Sequence, residues 1–431
     1  MSRRRHVAAG AAAAAALLLA AIAHAGALTS GSDSLRTAVA HQTERRVARA
    51  GLGPVTGEIY ASAHATTIGG YGELLVQRPD ARREDGAPTA QPDGIDVMRQ
   101  VVVLGHRFGR TLILNSALAL EHVGAQDAPP TTHDFETTDP ARAGSVAFDF
   151  AYLEWAPRPA LGARAGLLLV PLGLRNEHNE PTVTIGARPP GVERFVIPTV
   201  WSGSGAGLAG GGGPGLTWRA YVMEGLDAAG FTSEGAIRGG RQTPSDQRFE
   251  HPAFTGRLDW RGLSWLMLGG SGFAGDAWQR PQPGGATLRS QVTVYDVHGT
   301  IDWRGFAARG LYAEGRLDQA QQLSDVLGQA GVERLGEHFF GSYVEGDVDV
   351  LGLLRPGAGW QLKPAARFEE YDTQDGVITG IDDPTHHHTV VTAGLAVAPH
   401  PDLILKVDRE WRHSEARNET RQWDLAFGYQ F

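Results

Sequence analysis

The sequence contains no cysteine and almost no lysine. Its 431 residues include no Cys, and Lys363 and Lys406 are its only lysines. Without thiols there is no disulfide framework and no thiolate chemistry. Lysine is a good helix former, whereas glycine, with 57 copies here, weakens helices and favours turns. The composition therefore favours strands and turns over long helices.

Long apolar runs are also missing once the N-terminus is passed. No later segment reaches the roughly 20 consecutive apolar residues of a membrane helix. The N-terminus itself has arginines at positions 3–5, an apolar run at 7–22 and Ala-His-Ala at 23–25, which is the pattern of a cleaved signal peptide. We therefore predict an export leader at 1–25, with a retained membrane anchor as the alternative.

Positive charge is scarce as well. The formal net charge is −9, and loss of the three leader arginines leaves 36 basic against 48 acidic residues, a net charge of −12. Nucleic-acid-binding proteins present a basic face, so no nucleic-acid partner is expected. No linker divides the chain, which predicts a single domain at 67–431. Residues 26–66 are interpreted as a periplasmic lead-in, with a disordered tail as the alternative for 33–50.

The C-terminal segment RQWDLAFGYQF alternates large apolar residues with small or polar ones. This period of two predicts a strand with two different faces. Its large apolar positions are Trp423, Leu425, Phe427, Tyr429 and Phe431. The aromatic Phe431 looks like the assembly signal that outer-membrane barrels present to the barrel-assembly machinery. We therefore expect the apolar face to contact lipid.

The same two-faced pattern recurs along the chain and predicts sixteen strands. Charges of both signs on the hidden face would be costly in a dry core, but they suit a water-filled lumen whose outer face meets lipid. Predicted inward-facing cations are Arg164, Arg219, Arg257, Lys363, Arg367 and Lys406, and predicted inward-facing carboxylates include Asp259, Glu345, Asp347, Asp349, Glu369 and Asp408. The strands are predicted at 68–78, 97–108, 110–122, 146–157, 161–171, 204–212, 215–225, 252–261, 263–273, 289–303, 305–316, 338–351, 360–372, 387–398, 402–413 and 421–431.

The connections between these strands alternate in length. Tight turns such as Gly109 and Arg304 alternate with long polar loops such as 79–96 and 123–145. This alternation is typical of an outer-membrane barrel with short periplasmic turns and long extracellular loops. A sheet exposed to lipid must close, because open edges would leave backbone groups unpaired. The fold class predicted is all-β, a 16-stranded antiparallel transmembrane β-barrel; a strand at 56–66 and one more elsewhere would make eighteen.

Three motifs invite chemistry, and each has a structural alternative that we favour. LRNEHNEPT (174–182) groups carboxylates around a histidine, but no nucleophile pattern or second histidine at ligand spacing accompanies it. The histidines at 386–388 are adjacent and cannot easily share one ion. The acidic stretch 369–383 lacks calcium-loop spacing and is expected to be a surface loop that divalent ions can bridge to lipopolysaccharide. We predict no catalytic residue, no metal site and no cofactor.

Several segments resemble the phosphate-selective porins and their relatives. The resemblance rests on TTIGGYGELLV (66–76), VVVLGHRFG (101–109), ARAGLLLVPLGLRNEHNEPT (163–182), ERFVIPTVWSGSGAGLAG (193–210), GPGLTWRAYVMEGLDA (213–228), IRGGRQ (237–242) and the terminal FGYQF. It implies a 16-stranded, often trimeric outer-membrane porin that passes small anions by diffusion. Pores of that family are lined by arginine and lysine, whereas this chain is acidic and has only two lysines.

The resemblance also implies that connection 172–203 folds into the barrel and narrows it. Pro171 just before this loop and four prolines within it, at 181, 189, 190 and 198, stiffen it by fixing φ. Its candidate constriction residues are Arg175, Glu177, His178, Glu180, Arg188, Glu193 and Arg194. We expect Glu177, His178 and Glu180 to face water inside the barrel, with arginines across the gap, and the local charges to set selectivity.

These features together predict a passive diffusion porin in the outer membrane of a Gram-negative bacterium. Its expected partners are small hydrophilic solutes or anions, lipid and lipopolysaccharide, and the assembly machinery; the resemblance adds two further copies in a homotrimer. A barrel that binds a partner at the surface and conducts little is the alternative. An outer-membrane enzyme is a more distant one.

Overall fold

The computed structural model describes residues 51–122, 145–158, 160–212, 215–244, 247–281, 288–377 and 382–431. The predicted leader and the first part of the predicted lead-in lie outside these residues. Sixteen strands form one sheet: β1 (Thr66–Pro79), β2 (Gly94–Phe108), β3 (Leu112–Glu121), β4 (Ser145–Arg158), β5 (Leu161–Leu169), β6 (Ser202–Gly212), β7 (Leu216–Glu224), β8 (Pro252–Leu263), β9 (Leu266–Asp276), β10 (Gln291–Trp303), β11 (Phe306–Leu317), β12 (His338–Val348), β13 (Gln361–Asp375), β14 (His387–His400), β15 (Leu403–Ser414) and β16 (Gln422–Gln430).

The sheet closes into a barrel in which every strand pairs antiparallel with its neighbours in the chain. Closure comes from β1 and β16, whose register places Tyr71 opposite Gln430 and Pro79 opposite Gln422. The sixteen-stranded fold class is therefore confirmed. The eighteen-strand alternative is wrong at 56–66, where a 3-10 helix spans Glu58–Tyr60 and only the last residue belongs to β1.

Among the described residues, helical structure lies outside the strands, either before β1 or in the connections between strands. The two α-helices are α1 (Ala320–Leu327) and α2 (Val350–Leu354); further 3-10 helices span Pro181–Val183, Ala228–Gly230, Arg238–Gly240 and Gly331–Glu333, and a π-helical turn spans Val192–Val196. Within the described part of the chain, none of these helices is long and apolar enough to cross a membrane.

The outer and inner faces of the barrel differ as the period-two pattern predicts. On β16, the side chains of Trp423, Leu425 and Phe427 are 51%, 47% and 39% exposed on the outside. The intervening Asp424 and Ala426 are each only 1% exposed because they face the interior. Apolar side chains thus cover the outside, and charged side chains gather within.

Strands β2 and β4 carry apolar residues on both faces, which is why their sequences do not reveal the outward side. On β2, Val102 is 40% exposed outside while Val101 and Val103 are buried inside. On β4, the register shifts between Phe148, which points out, and Phe150, which points in. The bulge shifts the period-two pattern, and the inner apolar side chains lie beneath chain segments inside the barrel.

Candidate functional site

The connection between β5 and β6, residues 170–201, enters the barrel and crosses to the opposite wall. We call it the inserted loop. Its backbone meets β13 and β15: the carbonyl of Gly186 accepts from Lys406 Nζ at 2.9 Å, and the amide of Ala187 donates to Asp408 Oδ2 at 2.7 Å. The carbonyl of Arg188 accepts from Arg367 at 2.9 Å. These contacts hold residues 186–188 against β13 and β15, far around the barrel from β5 and β6.

Asn176 holds the two stems of the inserted loop together. Its Nδ2 donates to the carbonyls of Val170 and Trp201, both at 2.7 Å, and its Oδ1 accepts from the Trp201 amide at 2.7 Å. The side chain is only 2% exposed. The side-chain amide of Asn176 therefore satisfies backbone groups on both stems. Asn176 was not among the candidate residues predicted from the sequence.

Glu193 fixes the returning half of the loop. Its Oε2 accepts from the amides of Leu174 at 2.9 Å and Arg175 at 2.6 Å, and its Oε1 accepts from the hydroxyl of Tyr343 on β12 at 2.5 Å. Burial raises the pKa of Glu193, although the hydrogen bonds from Tyr343 and the Arg175 amide oppose that rise. Glu193 is fully buried, so it acts as a brace inside the loop.

Glu177 does not face water, contrary to the sequence expectation. It is 4% exposed and accepts two hydrogen bonds from Arg219, from Nε at 2.8 Å and from the terminal nitrogen at 2.5 Å. Arg219 also lies 3.3 Å from Asp259, which pairs with Arg257 at 2.8 Å. Arginines do lie opposite the loop as predicted, but they neutralise Glu177 and Asp259 in direct ion pairs.

A second ionic cluster lies on the opposite wall, on β12, β13 and β15. Its centre is Arg367, which is 3.2 Å from Glu369 and 3.7 Å from both Glu345 and Glu410. Arg188 of the inserted loop joins the cluster at 3.7 Å from Glu410. Carboxylates outnumber the arginines around Arg367, so its charge is compensated locally.

Two buried cations at the inserted loop lack such a partner. Arg175 is 4% exposed; its side chain donates to Asn179 Oδ1 at 3.0 Å, and its Nε has no hydrogen-bond partner. Lys406, 2% exposed, donates to Thr184 Oγ1 and to the Gly186 carbonyl, both neutral acceptors. Among the described residues, neither forms an ion pair with a carboxylate. Burial and the nearby Arg99 lower the pKa of Arg175.

The remaining candidates are spread around the lumen. His178 is half-buried, and burial together with Arg257 holds its pKa well below the ordinary value, so it stays neutral. Arg194 is half-buried with its guanidinium 4.9 Å from the Phe195 ring centre. Lys363 lies 4.0 Å from Asp347 near the short-turn end. The backbone of Phe431 continues the barrel seam, exchanging hydrogen bonds of 2.9 Å with Gly70 in both directions.

Of the histidines at 386–388, His387 and His388 pair with separate carboxylates at the long-loop end, and Nδ1 of His386 lies 3.1 Å from the amide oxygen of Gln374. His387 lies 3.0 Å from both Glu370 and Glu415, and His388 lies 2.9 Å from Glu419. Across the described part of the chain, no group of three or more His, Cys, Asp or Glu is placed to hold a metal ion. These contacts join β13 and β14 to the connection before β16.

Residues 51–61 also lie inside the barrel, at its short-turn end. We call them the N-terminal segment. Leu52, Val55 and Ile59 are 2%, 7% and 2% exposed. The segment belongs to the predicted periplasmic lead-in, and that interpretation did not anticipate these contacts with the lumen wall. The signal that could have revealed them is the apolar inner face of β2, since a water-filled lumen gives no reason for buried valines there.

Comparisons with known proteins agree on the architecture. No family model matches the chain. A protein of undescribed function from Aquifex aeolicus is 28% identical over 366 residues, covering 83% of this chain and 78% of that protein. OmpF of Salmonella typhi, solved in complex with daunomycin, superposes with a TM-score of 0.52 at 10% identity, covering 85% of this chain and 97% of that one.

Two further solved structures share the fold. The outer membrane channel DcaP of Acinetobacter baumannii has a TM-score of 0.50 at 10% identity, covering 85% of this chain and 97% of that one. A loop L8 deletion mutant of the Vibrio cholerae outer membrane protein OmpT gives 0.50 at 10% identity, covering 85% of this chain and all of that one. The chain has the fold of an outer-membrane porin. The resemblance to the phosphate-selective type stays a prediction.

Proposed function

We propose that this protein is an outer-membrane porin that passes small hydrophilic solutes by passive diffusion, with a preference for anions. The observation that carries the anion preference is the pair of buried cations, Arg175 and Lys406, at the inserted loop. The carboxylates that the sequence places nearby, Glu177 and Glu193, are taken up by Arg219 and by backbone amides. Arg175 and Lys406 therefore remain as two cations at the inserted loop that form no direct ion pair among the described residues.

Electrostatics at such a site is stronger than at an open surface. Screening by salt acts over about 8 Å in physiological buffer and is weaker for buried charges. A charged ring in a narrow passage therefore selects ions even when the whole protein has the opposite net charge. The acidic composition of the chain does not argue against local attraction of anions.

The proposed location is the outer membrane of a Gram-negative bacterium, reached through the leader at 1–25. The apolar outer face of the barrel suits lipid, and the long loops at the opposite end from the short turns suit the extracellular side. Phe431 would serve the barrel-assembly machinery, and the acidic loops would contact lipopolysaccharide through divalent ions. A homotrimer follows from the resemblance to phosphate-selective porins.

The test is conduction by the purified protein in planar bilayers under a potassium chloride gradient. We expect discrete single-channel steps and a reversal potential that favours chloride. In Arg175→Gln/Lys406→Gln the preference for chloride should fall severalfold, because two uncompensated positive charges are removed. Arg78→Gln is the matched control, because Arg78 is 77% exposed at the long-loop end of β1. A cation-selective wild type would overturn the anion preference.

The same experiment also tests a second candidate function. The inserted loop and the N-terminal segment both occupy the lumen, which favours a barrel with little conductance that binds a partner through its surface loops. Absence of single-channel steps from folded wild-type protein would support this alternative and overturn the porin proposal.

A further inference from the structure

We propose that the N-terminal segment is a resident second constriction, which closes the β2–β7 side of the lumen and confines solutes to the remaining wall. This inference rests on the proposed porin function, because it concerns the path that solutes take. It assigns a structural role within the lumen to residues 51–61, on the short-turn side of the inserted loop.

The first observation is that the segment is bound to the inserted loop. Oε1 of Glu180 accepts hydrogen bonds from the amides of Val55 and Thr56, both at 3.2 Å, and from the Thr56 hydroxyl at 3.1 Å. The amide of Gly53 donates to the carbonyl of Glu177 at 2.9 Å. Glu180 is fully buried, so it does not face water, contrary to the prediction from the sequence. The two elements inside the barrel therefore form one body.

The second observation is that the segment is bound to the wall over several strands. Asn115 on β3 donates to the carbonyl of Thr56 at 3.0 Å, and Arg107 on β2 donates to the carbonyl of Ile59. The hydroxyl of Tyr60 lies 3.0 Å from that of Tyr152 on β4. Since the carbonyls and the hydroxyl are satisfied by the wall, the segment needs no water on that side.

The third observation is the apolar contact. Leu52 and Val55 belong to the buried hydrophobic cluster that includes Val101 and Val103 of β2, and Ile59 lies against Gly105 of the same strand. Without the segment, part of the apolar wall around β2 would lose its cover. Apolar side chains on a lumen wall are stable only when something covers them permanently. We therefore infer that the segment stays in place and does not merely visit the lumen.

Glycines mark where the segment and its surroundings approach most closely. A Cβ built on Gly105 of β2 would lie 2.6 Å from Cβ of Ile59, and one built on Gly53 would lie 1.7 Å from a carboxylate oxygen of Glu180. Neither space admits a larger residue without movement. The wall and the inserted loop are thus shaped to receive the segment.

The consequence concerns two arginines predicted to line the lumen. Arg164 pairs with Glu154 at 2.7 Å, and its guanidinium lies 5.9 Å from the ring centre of Tyr60, which covers it. A Cβ built on Gly51 would lie 2.6 Å from Cζ of Arg219, so the backbone of the segment lies against that guanidinium. Neither arginine is open to a passing solute.

The test compares two deletions in the exported protein, both measured as single-channel conductance. Removing 26–61 should raise conductance at least twofold, because the obstruction on one side of the lumen is lost. Removing 26–50 alone is the matched control and should leave conductance at the wild-type value. Equal conductance of both deletions and wild type would overturn the inference. If single-channel steps were seen only after removal of 26–61, the inference about the N-terminal segment would be supported, but the porin proposal for the intact chain would be refuted.

A second measurement covers the case in which the longer deletion fails to fold or no form conducts. The chain has no native cysteine, and a Cβ built on Gly69 of β1 would lie 3.0 Å from Cγ1 of Val55. Val55→Cys/Gly69→Cys should therefore form a disulfide under mild oxidation, detected by loss of thiol labelling. Val55→Cys/Gly86→Cys is the control, because no atom lies within 4 Å of the Cβ built at Gly86. Free thiols in the test pair after oxidation would overturn the resident position.

Discussion

Replacement of Asn176 by alanine should release the inserted loop from the lumen. The change removes three hydrogen bonds of 2.7 Å between the side chain and the two stems. The carbonyls of Val170 and Trp201 keep a second donor each, from Leu172 at 2.8 Å and from Val170 at 3.0 Å. The amide of Trp201 has Asn176 as its acceptor, so it is the group left unsatisfied.

The magnitude follows from these contacts. The variant loses two hydrogen bonds to carbonyls that each keep another donor, and one buried donor is left without an acceptor. Together these losses cost about 3 kcal/mol. That corresponds to about two orders of magnitude in the ratio of docked to undocked loop. Asn176→Asp should be at least as harmful, because it brings a carboxylate oxygen to the two carbonyl oxygens.

Trypsin reports on this equilibrium without any assumption about conduction. Arg175 is 4% exposed, so cleavage after it requires the loop to open, whereas trypsin does not cleave after Arg188 because Pro189 follows it. We expect folded Asn176→Ala barrels in detergent to be cut within the loop much faster than wild type. Asn179→Ala, which removes one bond of 3.0 Å to Arg175, should have a smaller effect. If Asn176→Ala resists trypsin as wild type does, the assignment of Asn176 as the clamp is refuted.

Two further changes probe the seam and the long-loop end. Phe431→Ala should reduce the heat-modifiable folded fraction in the outer membrane severalfold, whereas Trp423→Ala, an outward residue on the same strand, should reduce it less; equal effects would contradict a specific assembly role. Burial alone would raise the pKa of Glu419, but Arg412 and His388 outweigh this effect and lower the pKa to about 2. Its stabilisation is therefore present above its unfolded pKa and lost as pH falls towards 2, so Glu419→Gln should lower stability by on the order of 2 kcal/mol at neutral pH and by nothing near pH 2 in unfolding measurements; a pH-independent difference would contradict this.

The barrel could be predicted from the sequence because its signal is local. Period-two alternation on β15 and β16 separates outer Leu405 and Trp411 from inner Asp408 and Asp424, and the burial of these residues agrees with that pattern. The lengths of the connections then place successive strands antiparallel. Where a strand has apolar residues on both faces and also contains a bulge, as around Phe148 and Phe150, the pattern no longer shows which face points outward.

The interior could not be predicted in the same way, because its contacts join residues far apart in the chain. Glu180 meets Thr56 across 124 positions, and Lys406 meets Thr184 across 222. The sequence identifies Glu177 and Arg219 as charged lumen residues, but their ion pair is visible only in the three-dimensional structure. Composition likewise cannot tell a free cation such as Arg175 from a paired one.

The contacts of the N-terminal segment bear on the order in which the barrel assembles. Its partners come from β1 to β7 and from the inserted loop, all within the first half of the chain. The inserted loop, by contrast, also needs β11 to β16. The segment is therefore able to settle on its wall early, whereas the loop completes its contacts only when the last strands arrive and β16 joins β1. Folding would proceed from a half-barrel with the N-terminal segment in place to a closed barrel, in which the inserted loop makes its last contacts as the seam forms.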